Sequence, residues 1–361
     1  VGVITPGFES SDLGFMFRTD VINSHLVLGY RWFEPDGFFR RKNIQAATFR
    51  SYDFGGRKTG EGYLLFTNAQ FMNYWSVNGS FSFDPARLDT RNTRGGPAMM
   101  NTNGYVFDLF ANSDSRAPLV YNLGVGGGRT ESGGYRINVG PGVEWKPSAG
   151  LVLKVAPEFI RDVTIAQWVM RRPDPAAAAT FGNRYLFAKL DYREISSSIR
   201  VDWTFTPKLT LQFYLQPLFS VGTYTAFKEL REPGTYTFNE YGLNDSSIYL
   251  ADHDFTAVLD ASNPADTTLV RRGDYVADPD GTSGASAARF TFSNPNFNSL
   301  SLRGNAILRW EFLPGSTLFF VWTHQRTGAG TPGSFDFAND LSNLVNAQGD
   351  NIFLIKMSYW W

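Results

Sequence analysis

The sequence predicts an all-β chain, and within that class a transmembrane antiparallel β-barrel. Three observations predict it. Apolar and polar residues alternate with period 2 over most of the chain, Trp recurs beside short turns, and the final alternating run stops on an aromatic residue.

Composition sets the frame. The 361 residues include 32 Phe, 16 Tyr, 9 Trp and 35 Gly, and charged residues make up 19%, below the roughly 25% of an average soluble domain. Mean hydropathy is still polar, at −0.23. The absence of Cys excludes disulfides, iron–sulfur clusters and thiolate zinc sites, and three His are too few for a histidine-rich centre. A net charge of −1 gives no basic field for nucleic acid. Val1-Gly2-Val3-Ile4-Thr5 does not read as a targeting segment. No run approaches the ~18 consecutive apolar residues of a membrane helix. A membrane reading therefore needs strands closed into a barrel.

Taken in order, thirteen strands are expected, at about 22–34, 38–53, 60–75, 78–89, 104–114, 117–129, 135–146, 151–170, 185–206, 208–230, 289–313, 317–327 and 351–361. Residues 1–21 are expected to form an extracellular loop segment, and 22–361 the C-terminal portion of one barrel. The first strand ends in Arg31-Trp32-Phe33-Glu34-Pro35. Trp75 precedes the turn Ser76-Val77-Asn78, and Trp145 precedes Lys146-Pro147. Trp203 precedes Thr206-Pro207, and Trp310 precedes Leu313-Pro314. Pro lacks a ladder N–H and so sits at strand ends. Trp, apolar in body with a polar N–H, suits a membrane interface, so these five form an expected aromatic girdle.

The clearest alternation runs from Tyr135 to Lys146: Tyr135, Ile137, Val139, Pro141, Val143 and Trp145 oppose Arg136, Asn138, Gly140, Gly142, Glu144 and Lys146. The runs Leu151 to Phe159, Lys208 to Phe219 and Leu300 to Phe312 repeat the split, and no long segment has helical period. Connections beside the Trp residues are short. The alternate ones are longer, above all near 232–287 and 328–350, with Thr130–Gly134 the short exception. That asymmetry is the one of outer-membrane barrels. In the last run Phe353, Ile355, Met357, Tyr359 and Trp361 share a face. It resembles the C-terminal signal by which barrel-assembly machinery recognises outer-membrane proteins. Because antiparallel barrels take an even number of strands, thirteen implies at least one strand more, for 14 or more in the full barrel.

The expected lumen face carries Arg31, Arg136, Glu144, Lys154, Glu158, Arg200, Asp202, Arg303, Arg309 and Glu311. Both signs alternate, which predicts cross-strand pairs, Glu144 with Lys154 among them. Gly124, Gly126 and Gly128 on one strand face Gly140 and Gly142 on the next. This lumen glycine patch is read as a place where a plug or partner protein packs, or as a bent wall. Asp278-Pro279-Asp280-Gly281-Thr282 has the carboxylate spacing of a calcium loop, with Asp254, Asp260 and Asp274 nearby, but Arg289 stands where such a loop ends in Glu. A turn built from Asp, Pro and Gly is the competing reading. His253, between Asp252 and Asp254, reads as a solvated loop residue, as no nucleophile or orienting partner is identifiable.

Several phrases resemble a bacterial outer-membrane family known only as a domain of unknown function. They are Pro6-Gly7-Phe8-Glu9 with Asp12-Leu13-Gly14-Phe15, Asp278-Pro279-Asp280-Gly281, Asn294-Pro295-Asn296-Phe297, the long run from Ser301 to Phe319, and the run from Asn351 to Trp360. The resemblance implies a signal peptide, an N-terminal β-sandwich similar to a carbohydrate-binding module, and a large C-terminal barrel. It carries over no functional residues. The expected setting is the outer membrane of a Gram-negative bacterium, with outer-membrane lipid and the assembly machinery as partners and no cofactor beyond a candidate calcium. The expected function is non-enzymatic: a transport or export channel, for a glycan or other polymer. The alternative is a non-conducting platform for surface or periplasmic proteins, and a barrel-embedded hydrolase is third.

Overall fold

The computed structural model describes residues 1–9, 14, 16, 18–260, 263–281 and 289–361. Thirteen long strands follow one another: β1 (Val21–Trp32), β2 (Phe39–Tyr52), β3 (Lys58–Phe71), β4 (Ser76–Asp84), β5 (Gly104–Asn112), β6 (Leu119–Thr130), β7 (Tyr135–Ser148), β8 (Leu151–Pro173), β9 (Asn183–Thr206), β10 (Leu209–Leu230), β11 (Phe297–Leu313), β12 (Ser316–Ala329) and β13 (Gly349–Ser358). Each pairs antiparallel with the next, so one sheet runs in chain order from β1 to β13. The chain is all-β in class, with one α-helix among the described residues, α1 (Phe337–Asn346).

The turns form where local chemistry provides them. Before β2, the Asp36 carboxylate accepts the N–H groups of Phe38 and Phe39 and pairs with Lys42, while Gly37 takes φ +81°. The Lys42 ammonium, then the Phe39 N–H, pull the Asp36 carboxyl down to about 2. The support it gives this turn is thus complete above its ordinary value of 3.8 and fades only as pH falls toward 2. Between β11 and β12, Gly315 takes φ +78°, a conformation other residues rarely adopt.

Directly opposed residues of antiparallel strands share a face, so the register defines two faces. One row reads Tyr30, Ile44, Thr67, Gly79, Leu109, Val125, Val139, Phe159, Ile195, Phe219 and Leu300 across β1 to β11. Nearer the short turns, another reads Leu119, Trp145, Leu153, Val201, Phe213, Ala306, Trp322 and Phe353 across β6 to β13. Away from the long loops this apolar face is open: Leu28 is 66% exposed, Ile137 53% and Phe353 76%.

The buried clusters lie at the end of the sheet that carries the long loops, where the apolar row is itself covered: Phe219 and Leu300 pack beneath Leu344 of α1. The strands β8, β9 and β10 are 23, 24 and 22 residues long, against 9 to 17 for the other ten. Their surplus length is wrapped by loop segments on both sides. Leu186 and Ala188 pack with Phe227, Tyr241, Ala277 and Phe290, while the alternate residues Tyr185 and Phe187 pack with Met99 and Leu230.

Several expectations are corrected. The long connection near 232–287 carries strands of its own: Ser247–Leu250 and Asp274–Asp278 form a three-stranded sheet with Phe290–Ser293, and Phe255–Asp260 pairs with Asn263–Val270. The strand expected over 289–313 is broken at Asn294-Pro295-Asn296, because Pro cannot donate to the ladder. The segment near 328–350 contains α1, capped by Asp336, whose side chain accepts the Asn339 N–H. The last strand stops at Ser358, so Tyr359 and Trp361 lie beyond it.

The sheet is not closed into a barrel: no pairing joins β13 to β1 among the described residues. With an odd number of antiparallel strands, β1 and β13 run the same way, so they cannot pair antiparallel with each other. The loop end of the free β1 edge holds a short strand, Gly2–Ile4, antiparallel to Val21–Asn23.

Candidate functional site

The face opposite the apolar one is polar. Alternation from the strand register places Arg31, Arg136, Glu144, Lys154, Glu158, Arg200, Asp202, Arg303, Arg309 and Glu311 on it together. One row across this face reads Glu144, Lys154, Arg200, Tyr214, Asn305 and Thr323. Glu144 accepts from Lys154 at 2.7 Å and from Lys146 at 3.0 Å, and the Arg200 guanidinium lies 5.0 Å from the Tyr214 ring centre. Arg309 pairs with Glu311 at 3.3 Å.

The glycines are in register: Gly124 faces Gly140, Gly126 faces Asn138, Gly128 faces Arg136 and Gly142 faces Asn122. The space beside most of them belongs to the sheet itself. A Cβ on Gly124 would stand 3.1 Å from the Phe110 ring, one on Gly126 2.4 Å from Asp108, and one on Gly142 2.1 Å from Asn122. On Gly128 it would meet the Tyr105 carbonyl at 2.8 Å. Gly140 alone of the five has only ordinary contact nearby, with the Pro157 carbonyl at 3.7 Å. The patch is thus a seam of close strand approach, with neighbouring side chains leaning over it.

What does cross this part of the sheet is the chain's own segment 85–103, between β4 and β5. It forms a short hairpin, Arg87–Asp89 with Met99–Asn101. The hairpin is tied to the head of β10, where Met100 N–H donates to the Thr235 carbonyl and Gly234 N–H to that of Ala98. Met99 is fully buried between Tyr185, Phe187 and Leu230. The segment is therefore a strap from the β4–β5 connection to the top of β9 and β10. It encloses, against β5 to β8, a cavity of about 540 Å³. The strap contributes Arg87, Arg91 and Arg94, and the sheet contributes Arg136, Asp162 and Trp168. Arg136 lies 3.5 Å from Asp162, Arg87 lies 3.8 Å from Asp84, and the Arg94 guanidinium lies 5.6 Å from the Trp168 ring centre. Of these lining residues, sequence reasoning singled out Arg136 and Gly128. The missed signal was three arginines within eight residues, Arg87 to Arg94, in a connection too long for a simple hairpin.

The sequence profile of the family described as Domain of unknown function (DUF5916) matches residues 2–257 and 264–361. The chain belongs to the DUF5916 family. No curated protein and no solved structure matches it.

In this DUF5916 chain the five girdle residues Trp32, Trp75, Trp145, Trp203 and Trp310 are all exposed, and the four on strands lie on the apolar face near the short turns. Trp75 sits in the turn before β4. Phe353, Ile355 and Met357 occupy the same face of β13. A second cavity, of about 590 Å³, opens at this end and is lined by Arg31, Arg41, Asn43, Asn68 and Asn78 among others.

At the opposite end a buried ion cluster ties the wrapped strands together. Arg184 pairs with Asp174 at 2.5 Å and with Glu229 at 2.7 Å, and the Tyr241 hydroxyl donates to Glu229. Burial, then the Glu229 charge, push the Tyr241 phenol well above its ordinary value. Asp278, of the calcium-loop candidate, instead pairs with Arg289 at 3.1 Å and accepts the Gly281 N–H. The Asp280 Oδ1 is buried without a hydrogen-bond partner among the described residues. Asp12 and Thr282, and the side chain of Asp260, lie outside those residues. No group of three or more acidic or His side chains among the described residues is arranged to hold a metal. His253 contacts its own neighbour Asp252 at 2.6 Å, and both are exposed.

Proposed function

We propose that this sheet is the wall of an outer-membrane β-barrel, with its apolar face in lipid and its polar face lining the interior, and that it serves transport or export of a glycan or other polymer. The observation that carries the reading is the height of the apolar band. On the apolar face of β9, charge stops at Arg193, which sits opposite Arg161 and within 3.2 Å of Asp191, and the band runs to Trp203, whose ring stacks on that of Phe205 to form an aromatic border beside the short turn. Those ten steps span about 34 Å along a strand. Tilted by about 35–45°, they cover about 24–28 Å of bilayer, close to the ~25 Å apolar band of outer-membrane barrels. In water such an open apolar face would drive aggregation.

The free edges fit this reading. Antiparallel closure between β13 and β1 takes an odd number of further strands. Gly2–Ile4 already occupies the loop end of that position, running antiparallel to β1. Closed in this way, every backbone donor and acceptor in the bilayer finds a partner.

A second reading, a non-conducting platform for partner proteins, is favoured by the strap over the polar face at the loop end. Planar-bilayer conductance separates the two. Steps of current from the purified protein are expected for transport. A sealed bilayer with protein inserted would end the transport reading and leave the platform.

A further inference from the structure

We propose that the strap cavity is a binding site for an acidic saccharide, one that carries carboxylate groups. The proposal deepens the glycan reading above and rests on it for the sugar's route, though not for its binding.

Charge comes first. Five arginines and two aspartates line the cavity. Asp84 and Asp162 each stand near one arginine, Arg87 and Arg136, at 3.8 and 3.5 Å, longer than a well-made hydrogen bond. Arg94 faces the Trp168 ring rather than a carboxylate in the strap–sheet contact described above. Arginine stays charged at any physiological pH, and with Arg91 set aside Arg87, Arg94, Arg129 and Arg136 still outnumber the two aspartates, so the lining keeps a positive excess that an anion relieves. The guanidinium fork matches a planar carboxylate with two parallel N–H donors.

The remaining lining points to a sugar rather than a simple ion. Gln167 offers a neutral donor and acceptor suited to hydroxyl groups, beside a polar network in which Asn92 donates to Asn101, Asn101 to Asp89 and Thr164 to Asp162, and Trp168 and Tyr236 offer ring faces. A volume of about 540 Å³ falls within the usual ~300–1,000 Å³ of a small-molecule site, far more than a lone anion fills. The site is also fixed in place: the strap is anchored by buried Met99 and by main-chain hydrogen bonds at both Ala98 and Met100, so little ordering is left for binding to impose.

The test is calorimetric titration of the detergent-solubilised protein with trigalacturonate, maltotriose and inorganic phosphate. Trigalacturonate is expected to bind at least about tenfold more tightly than either of the others, as loss of one charged hydrogen-bonded contact implies, and to weaken as salt is raised. Arg94→Ala and Arg136→Ala should each weaken trigalacturonate by about tenfold. Arg94→Lys keeps the charge and the ring contact but loses the fork, and should fall between wild type and Arg94→Ala. Equal binding of the acidic and neutral trisaccharides would overturn the proposal, as would trigalacturonate binding untouched in Arg94→Lys and Arg136→Ala. Phosphate binding as tightly as trigalacturonate would overturn the saccharide assignment. A protein that binds trigalacturonate but passes no current keeps this site and ends the transport reading. One that conducts but does not discriminate among the probes ends this site alone.

Discussion

Among single residues, Arg184 carries the most structural consequence. It is 8% exposed and neutralises two carboxylates that are themselves buried, Asp174 and Glu229. Removing it would leave both charges in a dry site, and breaking such a group costs about 3–5 kcal/mol. Arg184→Ala is therefore expected to destabilise the loop-end region by roughly that amount, read as faster proteolysis within 231–296 and a lower midpoint of its unfolding. An unchanged cleavage rate would show that the cluster is not structural. Sequence alone could not find it: Arg184 and Glu229 stand 45 positions apart on different strands. The Glu144–Lys154 pair was legible, because a tight turn fixes the register on either side and only one pairing puts both on the polar face.

At the scale of elements, legibility followed solvent asymmetry. The strand β7 alternates cleanly because one of its faces is apolar and the other polar throughout. At the start of β9 the rule fails, since Tyr185 to Ala188 are buried in succession and both faces meet packed chain. The small three-stranded sheet between β10 and β11, and α1, were hidden for a related reason: each is short, and each is stabilised by what it packs on rather than by its own pattern. The strap was hidden because a connection's composition does not say where it lands. The two faces of β7 make a direct prediction. Val139→Arg should impair assembly into liposomes by about 2–4 kcal/mol if that face meets the bilayer core. Asn138→Arg, one residue away on the polar face, should assemble nearly as well as wild type. Equal effects of the two would remove the distinction between the faces.

For the whole molecule, the question is what the open apolar face touches. The proposed barrel wall would account together for thirteen strands in one chain-ordered sheet among the described residues, exposed Trp beside the short turns and ionic pairs across the opposite face. The DUF5916 assignment covers nearly the whole chain and fits one continuous architecture, with the strap and the wrapped ends of β8 to β10 as its distinctive loop-end apparatus. The all-β class and the strand sequence were legible because a period of 2 survives wherever the two faces meet different surroundings.

The absence of cysteine makes the decisive measurement clean, because each introduced thiol is unique. Spin labels placed singly at positions 136 to 145 of β7, in protein reconstituted into liposomes, report collision with oxygen, which concentrates in lipid, and with a water-soluble nickel chelate. The account predicts oxygen maxima at 137, 139, 143 and 145 and nickel maxima at 136, 138, 142 and 144. Nickel accessibility that is equal at odd and even positions, or in the opposite phase, would contradict it.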